Sequence, residues 1–114
     1  ADCPTLALDD PDLPIRAGDA RLIVNTTSIG MQGGPAPGQS PLPDGCLHPE
    51  QTVFDIVYRP SATALLEQAA AAGATAIKGL DMLILQGAHS FRIWTGREPP
   101  VDIMLAAGRR AMEG

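Results

Sequence analysis

Apolar and polar positions along the chain alternate between short strand-like runs and longer helix-like segments. Four short apolar runs predict β-strands, at Thr5–Leu8, Arg21–Asn25, Val53–Tyr58 and Thr75–Ile77. The second run has Leu22-Ile23-Val24 at its centre and shows no polar alternation, which is typical of a parallel strand covered on both faces. Between the second and third runs, residues 30–45 are rich in Gly and Pro and predict a long, irregular loop.

Three further segments carry helix signals. Ser61 is the expected N-cap of a helix that passes through Leu65 and a run of alanines and ends at Gly73. A second helix is predicted from about Asp81 to Trp94, ending near Gly96, and a third from Pro99-Pro100 to about Met112. Because strands alternate with helices, the fold class is predicted as α/β with a parallel sheet, whose ligands bind beyond the carboxyl ends of the strands.

Polar residues or glycine follow three of the predicted strands. They are the segment from Asn25 to Gly30, Tyr58 and Gly79, and we expect them to meet at one edge of the sheet. Hydroxyls and backbone amides after a buried strand can contact a phosphate, a ribose or an amide without any charge. The same residues also suit an ordinary turn that satisfies its own backbone, so the segment alone leaves both interpretations open.

Gly79 and Gln86 form a suggestive pair at the start of the second predicted helix. Seven residues are close to two helical turns, so the two positions share a face about 10 Å apart along the axis. A glycine permits close approach of the backbone to a ligand, and an amide on an apolar face needs a hydrogen-bonding partner. A turn glycine and a surface glutamine are the plain alternative.

Composition and charge exclude several classes of protein. With 114 residues, the chain is one domain at most. A net charge of −5 with scattered basic residues argues against a nucleic-acid surface. No apolar run approaches the roughly 20 residues of a membrane span, and no leader pattern begins the chain, so a cytoplasmic protein without a membrane partner is expected.

Other residues with reactive side chains give weak signals. Cys3 and Cys46 do not form a disulfide or metal-binding spacing, and His48 near Cys46 adds too few ligands to predict a metal site. His89 has no Ser or Cys nucleophile arranged around it and is interpreted as a surface or packing residue. The chain contains no complete glycine-rich phosphate loop, and no catalytic acid or base can be named from its residues.

Three sequence blocks together resemble the C-terminal, nucleotide-binding half of shikimate dehydrogenase. The blocks span residues 20–105 and are Asn25-Thr26-Thr27-Ser28-Ile29-Gly30-Met31; Phe54-Asp55-Ile56-Val57-Tyr58-Arg59-Pro60 with Thr63 and Leu65-Leu66; and Gly79-Leu80-x-Met82-Leu83 with Gln86-Gly87-Ala88, Phe91 and Trp94-Thr95-Gly96. The resemblance implies a partial Rossmann-type three-layer parallel sheet, truncated at its N-terminal side. It also implies that residues 1–114 are the C-terminal part of an NADP-binding domain, including helices that reach the substrate cleft.

The family reduces 3-dehydroshikimate to shikimate with NADPH, in aromatic amino-acid biosynthesis. By this resemblance, Tyr58 and Gln86 contact the substrate. The implied cofactor-binding residues are Thr27, Ser28, Ile29, Ile56, Gly79, Met82 and Leu83. In this interpretation the Gly79 backbone meets the nicotinamide and the Gln86 amide holds a substrate hydroxyl.

Two departures and several gaps qualify the resemblance. Ile56 stands where many relatives have Met, and Asp81 stands where relatives often have a small residue. No position matches the family's catalytic Lys and Asp pair, so the chain is interpreted as a fragment that is inactive alone. The alternatives are a quinate or quinate/shikimate dehydrogenase using NAD, a non-catalytic binding module that oligomerises through an exposed sheet edge, and a Rossmann-type enzyme of folate or tRNA-linked metabolism.

Overall fold

The computed structural model describes residues 3–113 and is an α/β structure with a parallel three-stranded sheet at its centre. Its elements, in chain order, are α1 (Leu13–Asp19), β1 (Leu22–Asn25), β2 (Thr52–Asp55), α2 (Ala64–Ala71), β3 (Thr75–Lys78), α3 (Gly79–Thr95) and α4 (Val101–Glu113). The strands lie in the order β1-β2-β3, with both neighbouring pairs parallel. The α/β fold class predicted from the sequence is therefore confirmed.

The register of the sheet brings the strand ends into line. Asn25 lies opposite Asp55, and Asp55 lies opposite Lys78. The segments that follow these three residues therefore leave the sheet at the same edge, where parallel α/β sheets bind their ligands.

The hydrophobic core lies between one face of the sheet and helices α1 and α2. Val53 from the central strand and Leu65 and Ala69 from α2 are almost completely buried there. Gln51, only 1% exposed, donates through Nε2 to the carbonyl oxygens of Ala17 at 2.6 Å and Ala20 at 2.7 Å. This side chain supplies a donor to two carbonyls at the end of α1, of which that of Ala17 also accepts from the N–H of Ala20.

Helices α3 and α4 form a hairpin and pack mainly on each other. Gly96 ends α3 in the left-handed conformation, with φ of 68°, as the sequence predicts. Beyond the turn, the guanidinium of Arg92 contacts both carboxylate oxygens of Glu98 at 3.1 and 3.2 Å. The radius of gyration of 16.1 Å exceeds the roughly 13 to 14 Å of a compact chain of this length.

Several sequence predictions are corrected by the structure. Thr5–Leu8 is not a strand: it lies in an irregular segment in which Leu6 and Leu8 are exposed, and no strand among residues 3–113 pairs with it. Helix α1, which the sequence interpretation missed, begins after a run of Asp and Pro and carries Pro14 in its first turn, where proline is tolerated.

Two element boundaries also differ from the prediction. The N-cap of α2 is Thr63 rather than Ser61, since the Thr63 hydroxyl accepts from the backbone N–H of Leu66 at 3.2 Å. Strand β2 ends at Asp55 rather than continuing to Tyr58, because the N–H of Val57 turns inward to the Asp55 carboxylate instead of a neighbouring strand. Within the described part of the chain, no helix is both long and apolar enough to cross a membrane.

Candidate functional site at the carboxyl ends of the strands

A cavity of about 390 Å³ opens beyond the carboxyl ends of β1 and β2. One wall is made by Thr26, Thr27 and Ser28, which follow β1, and the opposite wall by residues 56–59, which follow β2. Met31 and Gln32, from the start of the long loop, complete the lining. The cavity volume lies within the range of ordinary small-molecule sites.

The chemistry of the lining is mostly neutral. Hydroxyl groups come from the β1 side and from Tyr58, while Ile56 and Met31 supply apolar surface. Arg59 is the one charged residue among those that line the cavity. Such a surface suits a ligand that combines a ring or aliphatic face with hydroxyl groups, and a single cation can meet one negative group.

The structure brings four of the predicted site residues together in this cavity. Thr27, Ser28, Ile56 and Tyr58 all line it, as the expected convergence of strand ends requires. Ile29 lies next to the lining but is not part of it. The predicted meeting of the Asn25–Gly30 segment with Tyr58 is therefore observed.

The predicted site residues of α3 lie outside the lining of this cavity. Met82 and Gln86 are exposed on the helix and Leu83 is half-buried. The side-chain amide of Gln86 makes no hydrogen bond to any of residues 3–113. Because this side chain is exposed, its amide needs no partner among the described residues. Roles for these three residues remain predictions from the resemblance.

Gly79 is buried at the first position of α3, and its environment gives a packing reason for glycine. A Cβ built on Gly79 would lie 2.6 Å from the carbonyl oxygen of Asp55 and would overlap the carbonyl oxygen of Ile56 as well. Both obstacles are backbone atoms, which cannot turn away as a side chain can. Close approach to β2 therefore requires glycine here whether or not a ligand is present.

A buried network of polar side chains supports the cavity from behind, and the sequence interpretation missed its importance. It consists of Asn25, Asp55 and Thr63, which are 3%, 0% and 1% exposed. The Asn25 amide donates to Asp55 at 3.0 Å, and the Thr63 hydroxyl donates to the same carboxylate at 2.6 Å. The available signal was a pair of polar residues at the ends of two apolar strands, which in sequence also fits an ordinary turn.

The Cys46 thiol is not an activated nucleophile. Burial raises the pKa of the Cys46 thiol, and the nearby Asp44 carboxylate raises it further, while a backbone hydrogen bond acts in the opposite direction. A raised pKa keeps the thiol protonated and unreactive near neutral pH. His89 is exposed on α3, and the described residues hold no group of three or more His, Cys, Asp or Glu placed to bind a metal ion.

The parallel sheet, the helices on one face and the cavity at the strand ends define part of a Rossmann-type α/β domain. Residues 79–107 match the family model of the shikimate 5'-dehydrogenase C-terminal domain. Over 86 residues, the chain is 48% identical to the NADP(+) shikimate dehydrogenase of Methanosarcina barkeri, covering 75% of this chain and 30% of that protein.

Solved structures give the same result. The shikimate 5-dehydrogenase of Thermus thermophilus, in complex with NADP(H) and shikimate, superposes with a TM-score of 0.75 and 43% identity, covering 86% of this chain and 36% of that one. The quinate dehydrogenase of Corynebacterium glutamicum, in complex with NAD, has a TM-score of 0.75 and 34% identity, covering 82% and 32%. The chain belongs to the shikimate dehydrogenase family, and it spans about a third of the length of the relatives it matches.

Proposed function

We propose that this chain is the second part of the nucleotide-binding domain of an NADP-dependent dehydrogenase that interconverts 3-dehydroshikimate and shikimate. The observation that supports the proposal is the strand-end cavity, in which Thr27, Ser28, Ile56 and Tyr58 line one space. The identity to NADP(+) shikimate dehydrogenases over most of this chain supports the same activity for the whole protein.

The cavity fits the nicotinamide end of the cofactor better than its phosphates. The Ser28 hydroxyl can bond a ribose or an amide, and Ile56 offers apolar surface to a flat ring. Thr27 donates its hydroxyl hydrogen to Asn25, so its oxygen can only accept a further hydrogen bond from the ligand. When bound, the nicotinamide supplies the hydride that the reaction transfers. The task of these residues is then to hold that ring in one orientation and to keep water from it.

The substrate side of the proposed site involves Tyr58 and Gln86. Tyr58 is 39% exposed at the cavity wall, so its hydroxyl can reach a ligand there. A neutral hydroxyl and an amide suit a polyhydroxylated substrate, since a site built to bond hydroxyls discriminates against analogues that lack them. Met82 and Leu83 on α3 are proposed to line the cofactor cleft, with the backbone of Gly79 against the nicotinamide.

We propose that residues 1–114 do not contain the family's catalytic Lys and Asp pair and that the isolated chain therefore has no dehydrogenase turnover. The test uses two samples, the full native protein that contains these residues and the isolated chain, each assayed for formation of reduced cofactor from shikimate. Turnover by the native protein alone is the expected result. Turnover by the pure isolated chain would contradict the proposed division of the site, and its absence from both would contradict the proposed function.

A quinate dehydrogenase that uses NAD is the second candidate, favoured by the 34% identity to the Corynebacterium glutamicum enzyme. Both candidates use the same strand-end cavity. Assaying the native protein with each cofactor against each of the two substrates separates them, because kcat/KM ranks the four pairs directly.

A further inference from the structure

Asp55 lies behind the strand-end cavity and takes no part in its lining. Its side chain is completely buried at the end of the central strand, and no Lys, Arg or His among residues 3–113 approaches it within 4.0 Å. A buried carboxylate without a cation is costly unless hydrogen bonds replace the lost water. The contacts of Asp55 should therefore define what it does.

Three donors converge on the Asp55 carboxylate. Oδ1 accepts from Asn25 Nδ2 and from the backbone N–H of Val57, each at 3.0 Å. Oδ2 accepts from the Thr63 hydroxyl at 2.6 Å. Because Thr63 Oγ1 already accepts from the N–H of Leu66, its own hydrogen is available for Asp55. In all three contacts a carboxylate oxygen is the acceptor.

Asn25 extends this network to the opposite wall of the cavity. Its Oδ1 accepts from the backbone N–H of Thr27 at 3.0 Å and from the Thr27 hydroxyl at 2.6 Å. Its Nδ2 donates to the Ile29 carbonyl oxygen at 3.3 Å as well as to Asp55. Thr27 Oγ1 in turn accepts from the N–H of Ile29 at 3.1 Å. These donors and acceptors fix the orientation of the Asn25 amide, so the segment after β1 is held in one conformation.

We propose that Asp55 is a positioning residue that holds both walls of the cavity in place, the β1 wall through Asn25 and the β2 wall through the N–H of Val57. The proposal rests on the proposed function in naming the ligand, since the walls that Asp55 positions are those assigned to the cofactor. Asp55 itself touches no ligand. Its effect on binding passes entirely through the hydrogen bonds to Asn25 and Val57.

The test exchanges the two partners in the full native protein. Asn25→Asp places a second carboxylate against Asp55 Oδ1, and we expect the dissociation constant for NADP to rise about tenfold or more. Adding Asp55→Asn restores an amide–carboxylate pair in the reverse direction and should recover part of that affinity. We expect the recovery to be incomplete for one reason. After the exchange, either the Val57 N–H loses its acceptor or the Ile29 carbonyl oxygen loses its donor. A double variant that binds NADP no better than Asn25→Asp would overturn the proposal.

Val53→Ala is the matched control, because Val53 is completely buried on the same strand but outside the network. It should lower the melting temperature while leaving the dissociation constant for NADP near that of the native protein. Equal losses of affinity in Val53→Ala and Asn25→Asp at equal stability would mean that Asp55 has only a structural role. If Asn25→Asp fails to fold, Asp55→Asn alone carries the comparison with Val53→Ala.

Amide hydrogen exchange gives a readout that does not depend on the ligand. The N–H groups of Thr27, Ile29 and Val57 are each held by a side-chain oxygen of the network. Asp55→Ala removes the acceptor of the Val57 N–H and the partner that orients the Asn25 amide, so these three N–H groups should lose protection in Asp55→Ala and keep it in Val53→Ala. If the native protein neither binds NADP nor oxidises shikimate, the proposed function fails, while these three amides still decide whether Asp55 positions the walls. Unchanged protection in Asp55→Ala would overturn the positioning role.

Discussion

Three glycines in the α3–α4 hairpin differ in what an added Cβ would meet, and Gly79 alone of the three faces β2. At Gly79, an added Cβ would lie 2.6 Å from the backbone oxygen of Asp55 and would overlap that of Ile56. At Gly108, it would meet the far end of the flexible Ile84 side chain, and at Gly87 nothing lies within 4 Å. The same chemical change therefore meets rigid backbone, a movable side chain and open space.

The magnitudes follow from these contacts. Real Cβ atoms essentially never lie under 3.0 Å from another heavy atom, and the Ile56 oxygen lies nearer than the Asp55 oxygen, so Gly79→Ala must displace the start of α3 by more than about 0.4 Å from β2. Overpacking of this kind costs about 1 to 3 kcal/mol. Gly87→Ala carries no clash and gains up to about 1 kcal/mol from helix propensity. Gly108→Ala should fall between the two, since Ile84 can change rotamer.

The assay is thermal unfolding of the three single variants beside the parent protein. We expect Gly79→Ala to lower the melting temperature, Gly87→Ala to maintain or raise it, and Gly108→Ala to lie between them. A Gly79→Ala variant as stable as the parent would refute the close approach of α3 to the carbonyls of β2. Loss of stability in Gly87→Ala equal to that in Gly79→Ala would show that helix packing in general, rather than this contact, sets the response.

Three further predictions test other parts of the structure. Thr63→Ala removes both the α2 cap and a hydrogen bond to Asp55 and should lower the free energy of unfolding by about 1 to 3 kcal/mol. Ser61→Ala should leave it almost unchanged, and equal losses in the two variants would contradict the observed cap. Because its pKa is raised, Cys46 should react with iodoacetamide more slowly in the folded protein than in urea at the same mildly alkaline pH, and equal rates would argue against its burial. The isolated chain should self-associate with rising concentration in sedimentation velocity, because Leu22, Val24 and Ile77 expose one apolar face of the sheet. Val24→Thr should weaken this self-association, and a monomer at all concentrations would refute the prediction.

The parts of the fold that depend on local pattern were predictable from sequence. Continuous apolar runs located β1, β2 and β3, and glycines at positions 73 and 96 marked the ends of α2 and α3, where both adopt positive φ. The short run at Thr5–Leu8 has the same local pattern and is not a strand. A strand is defined by its hydrogen-bonded neighbour, which a single run of residues does not reveal.

The candidate site likewise has one part that the sequence predicts and another that it does not. Convergence of Thr27, Ser28, Ile56 and Tyr58 follows from parallel topology, because residues after neighbouring strands share one edge of the sheet. The bond between Asn25 and Asp55 joins residues 30 positions apart and depends on the strand register. A shift of β1 by one residue against β2 would have turned the Asn25 amide to the other face of the sheet, so sequence alone could not assign this contact.

Gly79 and Asp55 together connect the cavity to the direction of α3. The carbonyl of Asp55 limits how α3 starts, while the side chain of the same residue fixes the two cavity walls. A displacement of the backbone at Gly79 should therefore disturb the cavity and all residues of α3. A change at Gln86 should affect only the groups that its side chain contacts. Under the proposed function, Gln86→Ala raises the KM for shikimate roughly three- to tenfold and leaves the dissociation constant for NADP unchanged. Gly79→Ala should raise both, and a Gly79→Ala variant that changes the shikimate KM alone would separate α3 from the cavity and contradict this coupling.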